Sequence, residues 1–89
     1  MSNIEPACSF EEIEIIVQEI ADECGRTTKE SDSFKNVYEG IAVIEEKLDE
    51  LWSEIKSGRN KRRMKKKATR LAAMVVQFIH DICDHEMKI

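Results

Sequence analysis

Apolar positions along the chain recur at intervals of three and four residues in three separate stretches, and no stretch alternates as a strand would. In the first, Phe10, Ile13, Val17, Ile20 and Cys24 line one side of a helix, opened by Ser9 and Glu12 as a reciprocal capping pair. Gly25 follows as the expected stop and residues 26–32 read as a polar connection. The second stripe is Phe34, Ile41, Ile44, Leu48, Leu51 and Ile55, with Trp52 beside it and Gly58 at its end. Gly40 lies inside that pattern, where glycine costs about 1 kcal/mol relative to alanine; a close approach between helices would explain it. The third stripe is Ala68, Leu71, Val75, Phe78 and Ile82, widened by Ala72, Met74 and Ile79. The pattern predicts an all-α fold with helices over about 9–24, 33–57 and 60–85, preceded by a flexible segment 1–8 outside a single domain 9–89.

Only Gly58, Arg59 and Asn60 separate the second and third stripes, so these helices should fold back as a long antiparallel hairpin. Two wide apolar faces on a thin hairpin exceed what an 89-residue chain can easily cover. A homodimer or higher homo-oligomer follows, with the second and third helices meeting their symmetry mates in a bundle.

Charge divides the chain. Residues 1–57 hold fifteen acids against five bases (−10) and residues 58–89 hold three against nine (+6), which together give the net −4. Such halves attract each other, within or between chains, and the basic half can attract phosphate. No apolar run reaches the length of a membrane span. Three widely spaced cysteines, Cys8, Cys24 and Cys83, form neither a disulfide framework nor a zinc pattern. They read as reduced thiols of a cytoplasmic protein, Cys24 and Cys83 serving as small packing residues.

Three segments carry a family likeness: Glu39-Gly40-Ile41-Ala42-Val43-Ile44, Leu48-Asp49-Glu50-Leu51-Trp52 and Leu71-Ala72-Ala73-Met74. Across about residues 34–82 the chain resembles the MazG-like nucleotide pyrophosphohydrolases, most of all their short, single-domain, phage-associated members. The resemblance implies a helical, dimeric or larger enzyme that cuts nucleoside triphosphates to monophosphate and pyrophosphate. It also implies two carboxylate pairs, three residues apart on successive helices, holding Mg²⁺, an ion that prefers hard oxygen ligands in octahedral geometry. Aligned on the quoted segments, those four positions fall at Lys47, Glu50, Lys67 and Arg70, so a single acid remains. Three cations there repel a metal, and Glu50, with Glu46 or Glu54, is expected to pair with Lys67 or Arg70 across the hairpin. The leading expectation is a catalytically impaired relative with a structural, regulatory or nucleotide-binding role. The alternative is an active Mg²⁺-dependent enzyme with a shifted ligand set of Glu46, Asp49 and Glu50.

Arg59, Lys61, Arg62, Arg63, Lys65, Lys66 and Lys67 place seven cations in nine residues. Three readings compete: an ion-pairing turn, a nucleotide-phosphate contact through Arg63, Lys66, Lys67 and Arg70, and a nucleic-acid or acidic-partner surface. The run has no aromatic residue to stack on bases. Trp52 could stack on a nucleobase, although packing in a dimer core is the plainer use. His80, Asp81, Cys83, Asp84, His85 and Glu86 are a ligand-rich end that could hold Zn²⁺ or Ni²⁺, or simply the polar end of a helix.

Overall fold

A computed structural model describes residues 9–30 and 33–84. They form three α-helices and a terminal π-helical turn, with no strand among them. The expectation for residues 1–8 lies outside the described residues, as do Cys8, His85 and Glu86.

Helix α1 spans Phe10–Glu30. Its predicted capping pair forms: the Ser9 amide donates to Glu12 Oε1 (2.9 Å) and the Glu12 amide donates to Ser9 Oγ (3.1 Å). Acids in the first turn, Glu11 and Glu12, suit the positive end of the helix dipole. The predicted stop at Gly25 is corrected, because the helix runs on through the supposed connection to Glu30. No described glycine has positive φ. Arg26 pairs with Glu23 at 2.7 Å, and Thr27 Oγ1 donates to the Cys24 carbonyl at 3.1 Å, so local bonds bridge the glycine and carry the helix past it.

Helix α2 spans Val37–Ser57, later in its start than expected. Asn36 is its N-cap and accepts from the Glu39 amide at 2.8 Å, while Glu39 reaches back to the Lys35 amide at 2.7 Å. Phe34, assigned to the helical stripe from sequence, instead precedes the helix, and its amide donates to Asp81 Oδ2 at 3.0 Å. Gly58 caps the C-terminus as expected, donating to the Glu54 carbonyl. The left-handed backbone of the turn falls on Arg59 (φ 56°).

Helix α3 spans Lys61–Phe78, capped by Asn60, which accepts from the Arg63 amide at 3.0 Å. The expected single helix to about residue 85 gives way to a π-helical turn, Ile79–Asp84. Within that turn Asp81 bonds to the chain entering α2 and Ile82 is buried. A widened turn of this kind re-aims side chains that a regular helix would leave in phase.

Contacts set the register. Glu50 meets Lys67, Glu54 meets Arg63, and Gly40 faces Phe78, so α2 and α3 run antiparallel. Glu19 meets Lys65, Glu23 meets Arg70, and Cys24 meets the Ala73 carbonyl, so α1 lies along α3 in parallel. Helix α3 is therefore the central element. A Cβ on Gly40 would lie 2.5 Å from Phe78 Cδ2, which supplies the close approach expected of that glycine.

The buried centre is Ala73, Met74, Gln77 and Ile82. Met74 and Ile82 belong to the predicted stripe of the third helix, but its Val75 and Ile79 remain 40% and 47% exposed while Ala73 and Gln77 are buried. Ala73 and Gln77 lie almost opposite Val75 and Ile79 around the helix, and α1 covers the former side only. On α2, Ile41, Leu48 and Trp52 are likewise 44–53% exposed. They lie about 120° around α2 from the Gly40–Lys47–Glu54 line that meets α3. Helix α1 packs along one side of α3 and the other side of the α2–α3 pair carries an uncovered apolar face; the predicted stripe of α1 is itself only partly used, with Phe10, Ile13 and Val17 left 74%, 41% and 55% exposed.

Candidate functional site

The polar residues singled out from sequence converge between α2 and α3. Spacings of three and four residues put Lys47, Glu50 and Glu54 on the side of α2 that meets α3. The same spacing aligns Arg63, Lys66, Lys67 and Arg70 along α3. Glu50 stands between two ammonium groups: its Oε2 is 3.6 Å from Lys47 Nζ and its Oε1 is 3.8 Å from Lys67 Nζ. All three side chains are about one-third exposed or less. Both separations exceed the 2.7–2.9 Å or so of a charge-assisted hydrogen bond, so the attraction is Coulombic.

Arg70 does not pair with Glu50. Its Nε lies 3.7 Å from Glu23 Oε2 on α1, and the same Glu23 holds Arg26 at 2.7 Å. Glu19, one turn earlier on α1, meets Lys65 at 3.2 Å. Sequence reading looked for the partners of these cations on α2 and so missed both acids. Their signal was available: Glu19 and Glu23 stand four apart, each one residue ahead of the stripe residues Ile20 and Cys24.

Glu46 faces a cavity of about 350 Å³ shared with Lys47, Arg70 and Glu23. Asp49 is on the exposed side of α2. Among the described residues no three His, Cys, Asp or Glu side chains gather closely enough to hold a metal ion. Glu46, Asp49 and Glu50 are thus no ready cage, and the best-placed of them has an ammonium group on each side. These residues do not fit Mg²⁺, which needs several oxygen donors at about 2.1 Å.

Arg63, Lys66, Lys67 and Arg70 do come together, with Glu54, around a cavity of about 280 Å³. Glu54 lies 3.9 Å from Arg63 across it. Trp52 is not at this cavity; it lies on the uncovered apolar face, with Lys56 Nζ 5.6 Å from its ring centre.

At the other end, Asp81 is a fastening point. Its Oδ1 accepts from His80 Nδ1 at 2.8 Å, its Oδ2 from the Phe34 amide, and Gln77 also bonds to it. Burial pushes the Asp81 carboxyl up, but these hydrogen bonds and the nearby His80 outweigh it and hold the group below the usual carboxylate range. Cys24 is half-buried and packs toward the Ala73 carbonyl; burial, then the charge of Glu23, pushes its thiol up, away from a reactive thiolate. Cys83, expected as a packing residue, is exposed, while its neighbour Ile82 in the π-helical turn is buried.

The chain matches no protein-family model, no curated protein and no solved structure. No described helix is long and apolar enough to cross a membrane.

Proposed function

We infer that this chain is a catalytically silent helical protein of the MazG-like pyrophosphohydrolase kind, acting as a homodimer in a structural or regulatory role. The observation that carries the reading is the position of Glu50. The one carboxylate left at the four aligned positions lies between Lys47 and Lys67, at 3.6 and 3.8 Å, where a metal would otherwise sit. Loss of Glu50 would leave Lys47 and Lys67 with no acid between them, whereas loss of either lysine leaves a balanced pair.

The second copy is supported by the uncovered face of α2 and α3. The face is also self-complementary: acids such as Glu45 and Asp49 flank it on α2, and Lys61 flanks it on α3. A two-fold mate sets each acidic edge against a basic one.

The test is pyrophosphate release from a panel of ribo- and deoxyribonucleoside triphosphates with Mg²⁺ or Mn²⁺. It is run on the natural protein and on a variant carrying Lys47→Glu, Lys67→Glu and Arg70→Asp. No turnover by the natural protein is expected, with turnover gained in the variant. Metal-dependent turnover by the natural protein would overturn the reading.

A further inference from the structure

Four cations ring one small cavity on the N-terminal half of α3. Arg63, Lys66, Lys67 and Arg70 face it with a single carboxylate, Glu54, so its wall is strongly positive. The ion pairs these cations make are all loose: Arg63–Glu54 at 3.9 Å, Lys67–Glu50 at 3.8 Å and Arg70–Glu23 at 3.7 Å. Lys65 on the same helix reaches its acid at 3.2 Å, and Arg26 on α1 reaches Glu23 at 2.7 Å. Lys66 enters no ion pair among the described residues, and none of the four is engaged in a side-chain hydrogen bond there. Their charge is partly balanced while their N–H donors remain unspent.

Unspent donors on converging guanidinium and ammonium groups suit an oxyanion, which accepts several short charge-assisted bonds at once. From Arg63 to Arg70 the row rises about 10 Å along the helix. That is long for one phosphate and suits two or three linked ones. No aromatic side chain lines the cavity, and Trp52 is on a different face, so nothing there would select a base.

We propose that the cavity bounded by Glu54, Arg63, Lys66, Lys67 and Arg70 is a binding site for the di- or triphosphate group of a small soluble phosphate compound. The ligand draws Arg63 away from Glu54 and spans the row toward Arg70. This goes beyond the silent-enzyme reading and does not depend on it, since the site needs neither a metal nor turnover.

The experiment is calorimetric titration of the full chain with sodium pyrophosphate, at low salt and without divalent metal. One saturable site per chain is expected. The double variant Arg63→Ala/Lys66→Ala should bind about tenfold more weakly, the scale of losing charge-assisted bonds. Lys61→Ala/Arg62→Ala removes the same charge outside the cavity and should change affinity less than about twofold, the residue of a screened surface effect. Glu54→Gln removes the competing carboxylate and should tighten binding. Lys66→Ala alone, which breaks no ion pair, guards against a folding defect in the double variant and should weaken binding in the same direction. Absence of saturable binding, or equal weakening by the two double variants, would overturn the proposal. A single-stranded oligonucleotide that binds more tightly than pyrophosphate, and is weakened equally by both, would overturn it too and assign the run to nucleic-acid backbone.

Discussion

The two sides of the α2–α3 pair differ in how they are finished. One is closed by α1 and holds the buried Ala73, Met74 and Gln77; the other leaves Ile41, Leu48, Trp52, Val75 and Ile79 near half exposure. The composition of the two sides runs against their burial. The closed side includes a glutamine and draws on the ion pairs of Glu19 and Glu23, whereas the open side is the more apolar. Burial within one chain therefore follows which helix is available to cover a face, and hydrophobicity alone does not decide it.

The strongest way to break this contrast is a matched pair of substitutions. Met74→Ala on the closed side should destabilise the chain by about 3 kcal/mol, the usual cost of a cavity at a long buried side chain. Leu48→Glu on the open side should change the unfolding midpoint of the isolated chain far less, yet convert a dimer to a monomer in light scattering after size-exclusion chromatography. If Leu48→Glu leaves the mass unchanged, the open face is not the dimer contact. Gly40→Val comes next: its Cβ would meet the Phe78 ring, and overpacking of that kind costs about 2 kcal/mol, read from urea unfolding. Gly25→Ala is its counterpart. Nothing lies within 4 Å of that position, so the substitution should stabilise α1 by about 0.5–1 kcal/mol.

Asp81 sharpens the comparison along the length of the pair. Its carboxylate joins the turn after α3 to the chain entering α2, and Asp81→Asn should cost about 1–2 kcal/mol, the worth of hydrogen bonds to a charged group. The sign with pH follows from its lowered value: the contribution is fully present above the unfolded carboxylate value near pH 3.9 and disappears as pH falls through the lower folded value. Thermal unfolding of the natural protein and of Asp81→Asn should thus differ above about pH 5, and the difference should shrink progressively as pH falls below about 4. At the start of α1, Ser9→Ala removes one half of the capping pair and should cost about 1 kcal/mol.

Much of the fold was legible in the sequence because its signals are local. The capping pair Ser9/Glu12, the stop at Gly58, the start at Asn60 and the close approach at Gly40 each depend on residues that state their own backbone preference. Gly25 misled because a glycine permits a stop without requiring one, and the Glu23–Arg26 pair spans it. The π-helical turn had no sequence signal, since its π geometry goes with a contact from Phe34 to Asp81, forty-seven positions apart. At the candidate site, helical spacing was enough to assemble Arg63, Lys66, Lys67 and Arg70 in advance, and the Glu50–Lys67 pair followed from the antiparallel register. The acids of α1 were not foreseen, because a short periodic stripe shows that a helix packs without showing which helix it meets.

The parallel placement of α1 on α3 has a consequence for how the chain is made. The partner that α1 needs is the last of the three helices to leave the ribosome, and α2 must wait for that same helix. Until α3 emerges, two amphipathic helices are exposed with only each other for company. Contacts spanning forty-six to forty-nine residues, such as Glu19–Lys65 and Cys24–Ala73, close only afterwards. Loop-closure entropy favours the α2–α3 pair, whose connection is three residues, so α1 docks last onto a pair already formed. Nascent chains halted before α3 should be the form most prone to aggregate or to recruit a chaperone.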